Sequence, residues 1–144
     1  MFHLDNKIAL VTGGGSGIGR AVALLFAKKG AVVCILDMDE QGGISVANEI
    51  QTQNGQSFFL KCNVAKQQEV DQVVDTIVSK YKAIDILVNN AGIAHIGTAE
   101  TTKEEDFERL LNVNVKGVYN CLHAVLPIMK VKGGVILNLS LIHI

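Results

Sequence analysis

Short runs of consecutive apolar residues alternate along the chain with longer stretches in which apolar residues recur every three or four positions. The first pattern marks buried strands and the second amphipathic helices. Lys7-Ile-Ala-Leu-Val-Thr12 reads as a first strand, followed by a helix over 18–29 that carries Ile18, Val22, Leu25 and Phe26 on one face and stops at Gly30. Ala31-Val-Val-Cys-Ile-Leu36 is a second strand, ending on Asp37. A helix over about 40–53 leads to a third strand, Ser57-Phe-Phe-Leu-Lys-Cys62, and one over about 67–81 leads to a fourth, Ile84-Asp-Ile-Leu-Val88. After a loop, Thr102-Lys-Glu-Glu105 reads as a capping box that opens a short helix to about 111; a longer helix over about 113–130 and a fifth strand over 134–138 complete the pattern. No linker or repeat interrupts it. Strands alternating with helices imply an α/β doubly wound parallel sheet, and right-handed crossovers give the strand order 3-2-1-4-5. One domain over 1–138 is expected.

This topology gathers the chemistry-bearing segments at one edge of the sheet, the carboxyl ends of the strands. The run Thr12-Gly-Gly-Gly-Ser-Gly-Ile-Gly19 joins the first strand to the first helix. Its backbone N–H groups and the positive helix N-terminus make a cradle for a pyrophosphate without a dedicated cation. Gly13 suits the tight turn, Gly17 allows close ligand approach and Gly19 allows close helix packing. Asp37 comes 18 residues after Gly19, where a carboxylate can accept hydrogen bonds from both hydroxyls of an adenosine ribose. A 2′-phosphate would be repelled there. The turn carries no Arg or Lys and Met38 follows Asp37, so NAD is favoured over NADP. Asn63 and Asn89-Asn-Ala-Gly92 fall at the same edge.

Composition narrows the classes. Thirteen basic residues against 14 acidic ones leave a net charge of −1 with no basic run, which argues against nucleic acid and membrane surfaces as partners. No apolar run approaches the roughly 20 residues of a membrane span, and the N-terminus lacks the pattern of a leader, so a cytoplasmic protein is expected. Cys34, Cys62 and Cys121 are widely spaced inside apolar segments and read as buried, inert thiols; no metal site is expected. His95 lies on the loop after Gly92, where a substrate-side contact is open to it but a surface position is the commoner outcome.

Taken together, Thr12-Gly-x-x-x-Gly-Ile-Gly19, Asn89-Asn-Ala-Gly92 and Asn114 within Leu111-Asn-Val-Asn-Val-Lys-Gly117 resemble, in order and spacing, the motifs of the classical short-chain dehydrogenase/reductase family. The likeness covers about residues 5–138 and implies a Rossmann-type fold. It further implies that Gly13, Gly15, Ser16, Gly17, Ile18 and Gly19 hold the pyrophosphate and Asp37 the adenosine ribose. Asn63 and Val64 would meet the adenine, while Asn90, Ala91 and Gly92 would line the floor beneath the nicotinamide ribose. Asn63 stands where the family commonly has Asp; its oxygen can still accept from the adenine amino group, so weaker recognition is expected. Asn114 would be the catalytic asparagine, whose main-chain carbonyl fixes a water in the family's proton relay.

The reaction so implied is reversible hydride transfer between nicotinamide and an alcohol or carbonyl substrate, with the proton exchanged by the tyrosine of a Tyr-x-x-x-Lys pair. Neither Tyr81 nor Tyr119 has Lys four residues on. The chain is therefore expected to stop before that pair and to be inactive alone, a non-catalytic NAD-binding fragment. Asn138-Leu-Ser140-Leu141 matches only the first serine of the family's Asn-x-Ser-Ser, and residues 139–144 read as a non-native tail. The helix bearing Tyr119, Leu122 and Val125 is apolar on more than one side, with Pro127 expected to kink it, which in the family means a homodimer or homotetramer. The fifth strand is expected to be an exposed apolar edge. A methyltransferase using S-adenosylmethionine shares the glycines and the acid but not Thr12 with Asn-Asn-Ala-Gly. A P-loop fits less well, because Arg20-Ala21 replaces Lys and Ser or Thr after Gly19.

Overall fold

A computed structural model describes residues 2–140; residues 141–144 of the tail read as non-native lie outside the described residues. The strands are β1 (Ile8–Thr12), β2 (Val32–Asp37), β3 (Gln56–Lys61), β4 (Ile86–Asn89) and β5 (Val135–Asn138), all paired in parallel in the order β3-β2-β1-β4-β5. The helices are α1 (Gly17–Lys28), α2 (Glu40–Thr52), α3 (Gln67–Tyr81), α4 (Glu104–Leu111) and α5 (Gly117–Lys132).

Each strand of the sheet's middle is apolar at every position but its last, because both faces are covered. Alternate residues decide which layer they serve. Ile8, Leu10, Cys34 and Leu36 pack with Val70, Val74 and Ile77 of α3 and Cys121, Val125 and Met129 of α5. Ala9, Val11, Val33, Ile35 and Val88 pack with Ala23 and Ala27 of α1 and Val46, Ala47 and Ile50 of α2. At the edge, β5 leaves Val135 and Leu137 exposed, as the sequence anticipates.

Two elements differ from their expectation. The helices expected over 102–111 and 113–130 are one continuous rod, because a π turn over Asn112–Lys116 joins α4 to α5 with right-handed helical backbone at Leu111, Asn112, Lys116 and Gly117. The capping box does not form. Lys103 occupies the N-cap without a side-chain cap bond, since Thr98 and Thr101 close a turn of their own that draws the Thr102 N–H onto the Thr98 carbonyl at 2.9 Å. The helix runs on through Pro127 as a single element.

The three thiols share one layer of the core. Burial pushes Cys62 up to about 11 and Cys121 up to about 12, and holds Cys34 well above the ordinary 9.0. The folded chain thus keeps protons that the unfolded chain gives up once pH exceeds about 9, so the thiols' contribution to stability is level below that pH and falls above it.

At the carboxyl ends, β1 and β4 are bolted together by one buried hydroxyl. Thr12 Oγ1 accepts the N–H groups of Asn90 and Ala91, each at 3.0 Å, and donates to the Val88 carbonyl at 3.3 Å. Asn90 Nδ2 returns the contact by donating to the carbonyls of Thr12 and Gly13, both at 3.0 Å.

Two outcomes follow from this arrangement. A thiol-reactive disulfide reagent at pH 8 is expected to leave all three cysteines unmodified in the folded protein and to label all three in denaturant; rapid native labelling would contradict their burial. Thr12→Val, which strands two N–H donors, is expected to cost about 2–3 kcal/mol in urea unfolding, against about 1 kcal/mol for Thr12→Ser, which keeps the hydroxyl; equal costs would show that the hydroxyl carries nothing.

Candidate functional site

The turn between β1 and α1 carries its glycines for two different reasons. At Gly17 the backbone is left-handed (φ 52°) and no atom lies within 4 Å of where a Cβ would stand, so a ligand can come against bare backbone. At Gly19 the constraint is internal, because a Cβ would come within 2.8 Å of the Gly13 carbonyl carbon. Ser16 is the N-cap of α1 and makes no side-chain cap bond, and the first turn holds no acid. The first N–H groups of a helix lack intrahelical acceptors, so this end attracts an anion.

Asp37 is fastened at the end of β2. Its Oδ2 accepts the Gly15 N–H at 2.9 Å and its Oδ1 accepts the Asp39 N–H at 3.0 Å, which joins the glycine turn to the β2 loop. Each oxygen keeps a second lone pair for a hydroxyl donor. Lys61 stands opposite Asp37 in the sheet register, and its ammonium is paired with Glu40 at 3.3 Å. The turn has no cation of its own and Met38 follows Asp37, but the fold brings up a lysine from β3, matched by its own carboxylate.

The loop after β3 is braced from both sides. Asn63 donates its N–H to Glu69 Oε2 at 2.8 Å, and its Oδ1 accepts the Ala65 N–H at 3.0 Å. That N–H, together with Lys66 at 3.0 Å, holds the Glu69 carboxyl below the usual carboxylate range. The Val64 carbonyl accepts Asn120 Nδ2 at 2.8 Å, and a Cβ at Gly117 would come within 2.7 Å of Val64 Cγ2. Asn120 is fully buried, and its Oδ1 has no partner among the described residues. After β4, the Asn114 amide clamps Ile93 in both directions: Oδ1 accepts its N–H and Nδ2 donates to its carbonyl, each at 2.8 Å.

These parts enclose a cleft of about 520 Å³. Gly13, Ser16, Gly17, Ile18, Asp37, Asn63, Val64, Asn90, Ala91 and Gly92 all line it, with Leu36, Met38, Cys62 and Val113 as apolar walls. Gly15 and Gly19 lie behind the turn, packed against Asp37 and Gly13. Asn114 lines an adjoining cavity of about 490 Å³, which shares Asn90, Ala91 and Gly92 with the cleft and also takes in Asn138 and Ser140. His95 is in neither lining. The arrangement suits an extended ligand with an anionic centre, a diol beside Asp37 and flat apolar rings.

Asn90 lines the cleft where the sequence places it, and its amide is engaged with the carbonyls of Thr12 and Gly13 on β1 and its turn. Sequence reasoning passed over Thr12 as an anchor and Gly117 and Asn120 as braces. Their signal was present: Gly117, Asn120 and Cys121 share one helical face, so a lone amide among small and apolar neighbours marks a buried polar contact.

Known proteins agree with this geometry. A family model described as short chain dehydrogenase matches residues 7–142. A 3-oxoacyl-(acyl-carrier-protein) reductase, FabG, of Thermotoga maritima is 40% identical over 96% of this chain and 56% of its own length. A cyclopentanol dehydrogenase of Comamonas is 36% identical over 99% of this chain and 58% of its own length. The solved structure of a citronellol catabolism dehydrogenase from Pseudomonas aeruginosa superimposes with a TM-score of 0.88 at 31% identity, covering 94% of this chain and 56% of that one. The chain thus spans about half the length of the relatives it matches. By the family match and these identities, the chain belongs to the short-chain dehydrogenase family.

Proposed function

We propose that these residues form the NAD-binding part of an oxidoreductase that moves hydride reversibly between nicotinamide and a small alcohol or carbonyl substrate. One observation carries the reading: a single cleft runs from the open backbone at Gly17, past Asp37, to the floor at Ala91 and Gly92, and adjoins the cavity that holds Asn114 and Ser140. In this reading the Gly13–Gly19 turn holds the pyrophosphate, Asp37 the adenosine ribose, Asn63 and Val64 the base, and Asn90, Ala91 and Gly92 the nicotinamide ribose. When bound, the cofactor supplies a ring carbon that takes up or releases hydride. Asn114 belongs to the π turn, a feature often found at functional sites because it disturbs the regular carbonyl pairing of a helix. Its side chain is occupied by Ile93, so its backbone carbonyl is the group we assign to holding water for proton relay.

The 144 residues hold no Tyr-x-x-x-Lys pair, so we assign proton exchange at the substrate to groups outside them, and cofactor binding without turnover to these residues alone. Exposed Phe107, Leu111, Val115 and Tyr119 recur every four residues along the rod of α4 and α5 and support a homodimer or homotetramer. Among the described residues, no helix is long and apolar enough to cross a membrane. The three unpaired buried thiols support a reducing, cytoplasmic setting.

Preference for NAD over NADP rests on the carboxylates of Asp37 and Asp39 at one corner, where an added phosphate meets like charge while Lys61 is matched by Glu40. NADH is expected to bind at least about tenfold tighter than NADPH in fluorescence titrations, and Asp37→Asn to narrow that ratio by about tenfold, since like-charge juxtaposition costs upwards of one factor of ten. Equal binding of the two cofactors by the unaltered protein would overturn the assignment.

A further inference from the structure

The end of the cleft beyond Asp37 has a hydrogen-bonding polarity that selects among purine bases, a point that rests on the dinucleotide reading above. Asn63 lines both the cleft and a second cavity of about 460 Å³ that continues from it. The backbone fixes which way its amide faces. Oδ1 accepts the Ala65 N–H at 3.0 Å, a bond that the amide nitrogen, being only a donor, cannot make. Nδ2 is therefore the outward end of the side chain. It makes no hydrogen bond among the described residues, and Glu69, the one carboxylate in that lining, is committed to the Asn63 N–H and to Lys66. The next donor along the chain, the Val64 N–H, also has no partner among the described residues, although its carbonyl is held by Asn120.

Two neighbouring donors call for two neighbouring acceptors. A 6-oxopurine offers O6 beside N7, both acceptors, whereas adenine offers N7 beside an amino group that is itself a donor. With aspartate at position 63, the backbone bond to Ala65 would be kept and the outward atom would become an acceptor suited to the amino group. We infer that Asn63 sets base specificity in this chain, shifting it from a 6-amino toward a 6-oxo purine dinucleotide. The expectation of merely weaker adenine recognition through the Asn63 oxygen is replaced by a change of preference, because that oxygen faces the backbone.

The test is a fluorescence titration of the intact protein with NADH and with reduced nicotinamide hypoxanthine dinucleotide, which differ only at the purine 6-position. The unaltered protein is expected to bind the 6-oxo compound at least as tightly as NADH. Asn63→Asp is expected to move the ratio of the two affinities toward NADH by about tenfold, the worth of one well-placed hydrogen bond. The comparison within the unaltered protein stands even if the variant folds poorly. A clear preference for NADH, or a ratio unmoved by Asn63→Asp in a folded variant, overturns this inference and leaves the cofactor reading standing. Binding of neither compound overturns both.

Discussion

A parallel sheet covered on both faces has nowhere to put polar groups except at the ends of its strands, and in this chain the decisive end is where β1 meets β4. Strands β1, β2 and β3 step away in one direction and β4 and β5 in the other, so a crevice opens at the point of reversal. The Thr12 hydroxyl closes the base of that crevice by satisfying two N–H groups of the β4 loop, and the Asn90 amide answers by satisfying two carbonyls of the glycine turn. Buried polar groups left unpaired there would be costly, which makes the relative position of the two loops close to obligatory. Two other parts of the site are hung from this junction, while the loop after β3 is braced separately by Glu69 and Asn120. Asp37 reaches it through the Gly15 N–H, and Asn114 reaches it through Ile93.

The rod formed by α4, the π turn and α5 serves the site from the opposite side. It clamps the β4 loop at Asn114 and the β3 loop at Asn120, six residues apart on one continuous helical element. The outer side of the same rod exposes Leu111, Val115 and Tyr119, so the element that orders the cleft is also the one left with apolar surface to cover.

Much of this was legible in the amino-acid sequence because periodicity and turn chemistry agree. All the strands and their order followed from runs such as Ala31–Leu36, whose unbroken apolarity is what a doubly covered strand requires. The glycine turn, Asp37, Asn63 and the Asn89–Gly92 segment were placed at one edge by topology alone, and the structure gathers Gly13, Gly17, Asp37, Asn63 and Asn90–Gly92 into one cleft. What was not legible depends on three-dimensional competition. The Thr102 cap is lost because a local turn of Thr98 and Thr101 engages the Thr102 N–H, and the break expected between two helices is bridged by a π turn that keeps helical backbone. The direction of an amide such as Asn90 or Asn63 is likewise decided by which backbone groups lie within reach, and residue type alone says nothing about that.

The central claim is that the glycine turn and the loops after β2, β3 and β4 form one preassembled dinucleotide cleft. Amide chemical-shift mapping of the protein titrated with NADH tests it most directly. The expected result is a contiguous set of perturbed N–H groups at Gly13–Gly19, Asp37–Met38, Asn63–Ala65 and Asn90–Ile93. Perturbation centred instead on the groove beside Lys28, Lys29 and Gly55 at the opposite end of the strands, or no perturbation at saturating cofactor, would contradict the account.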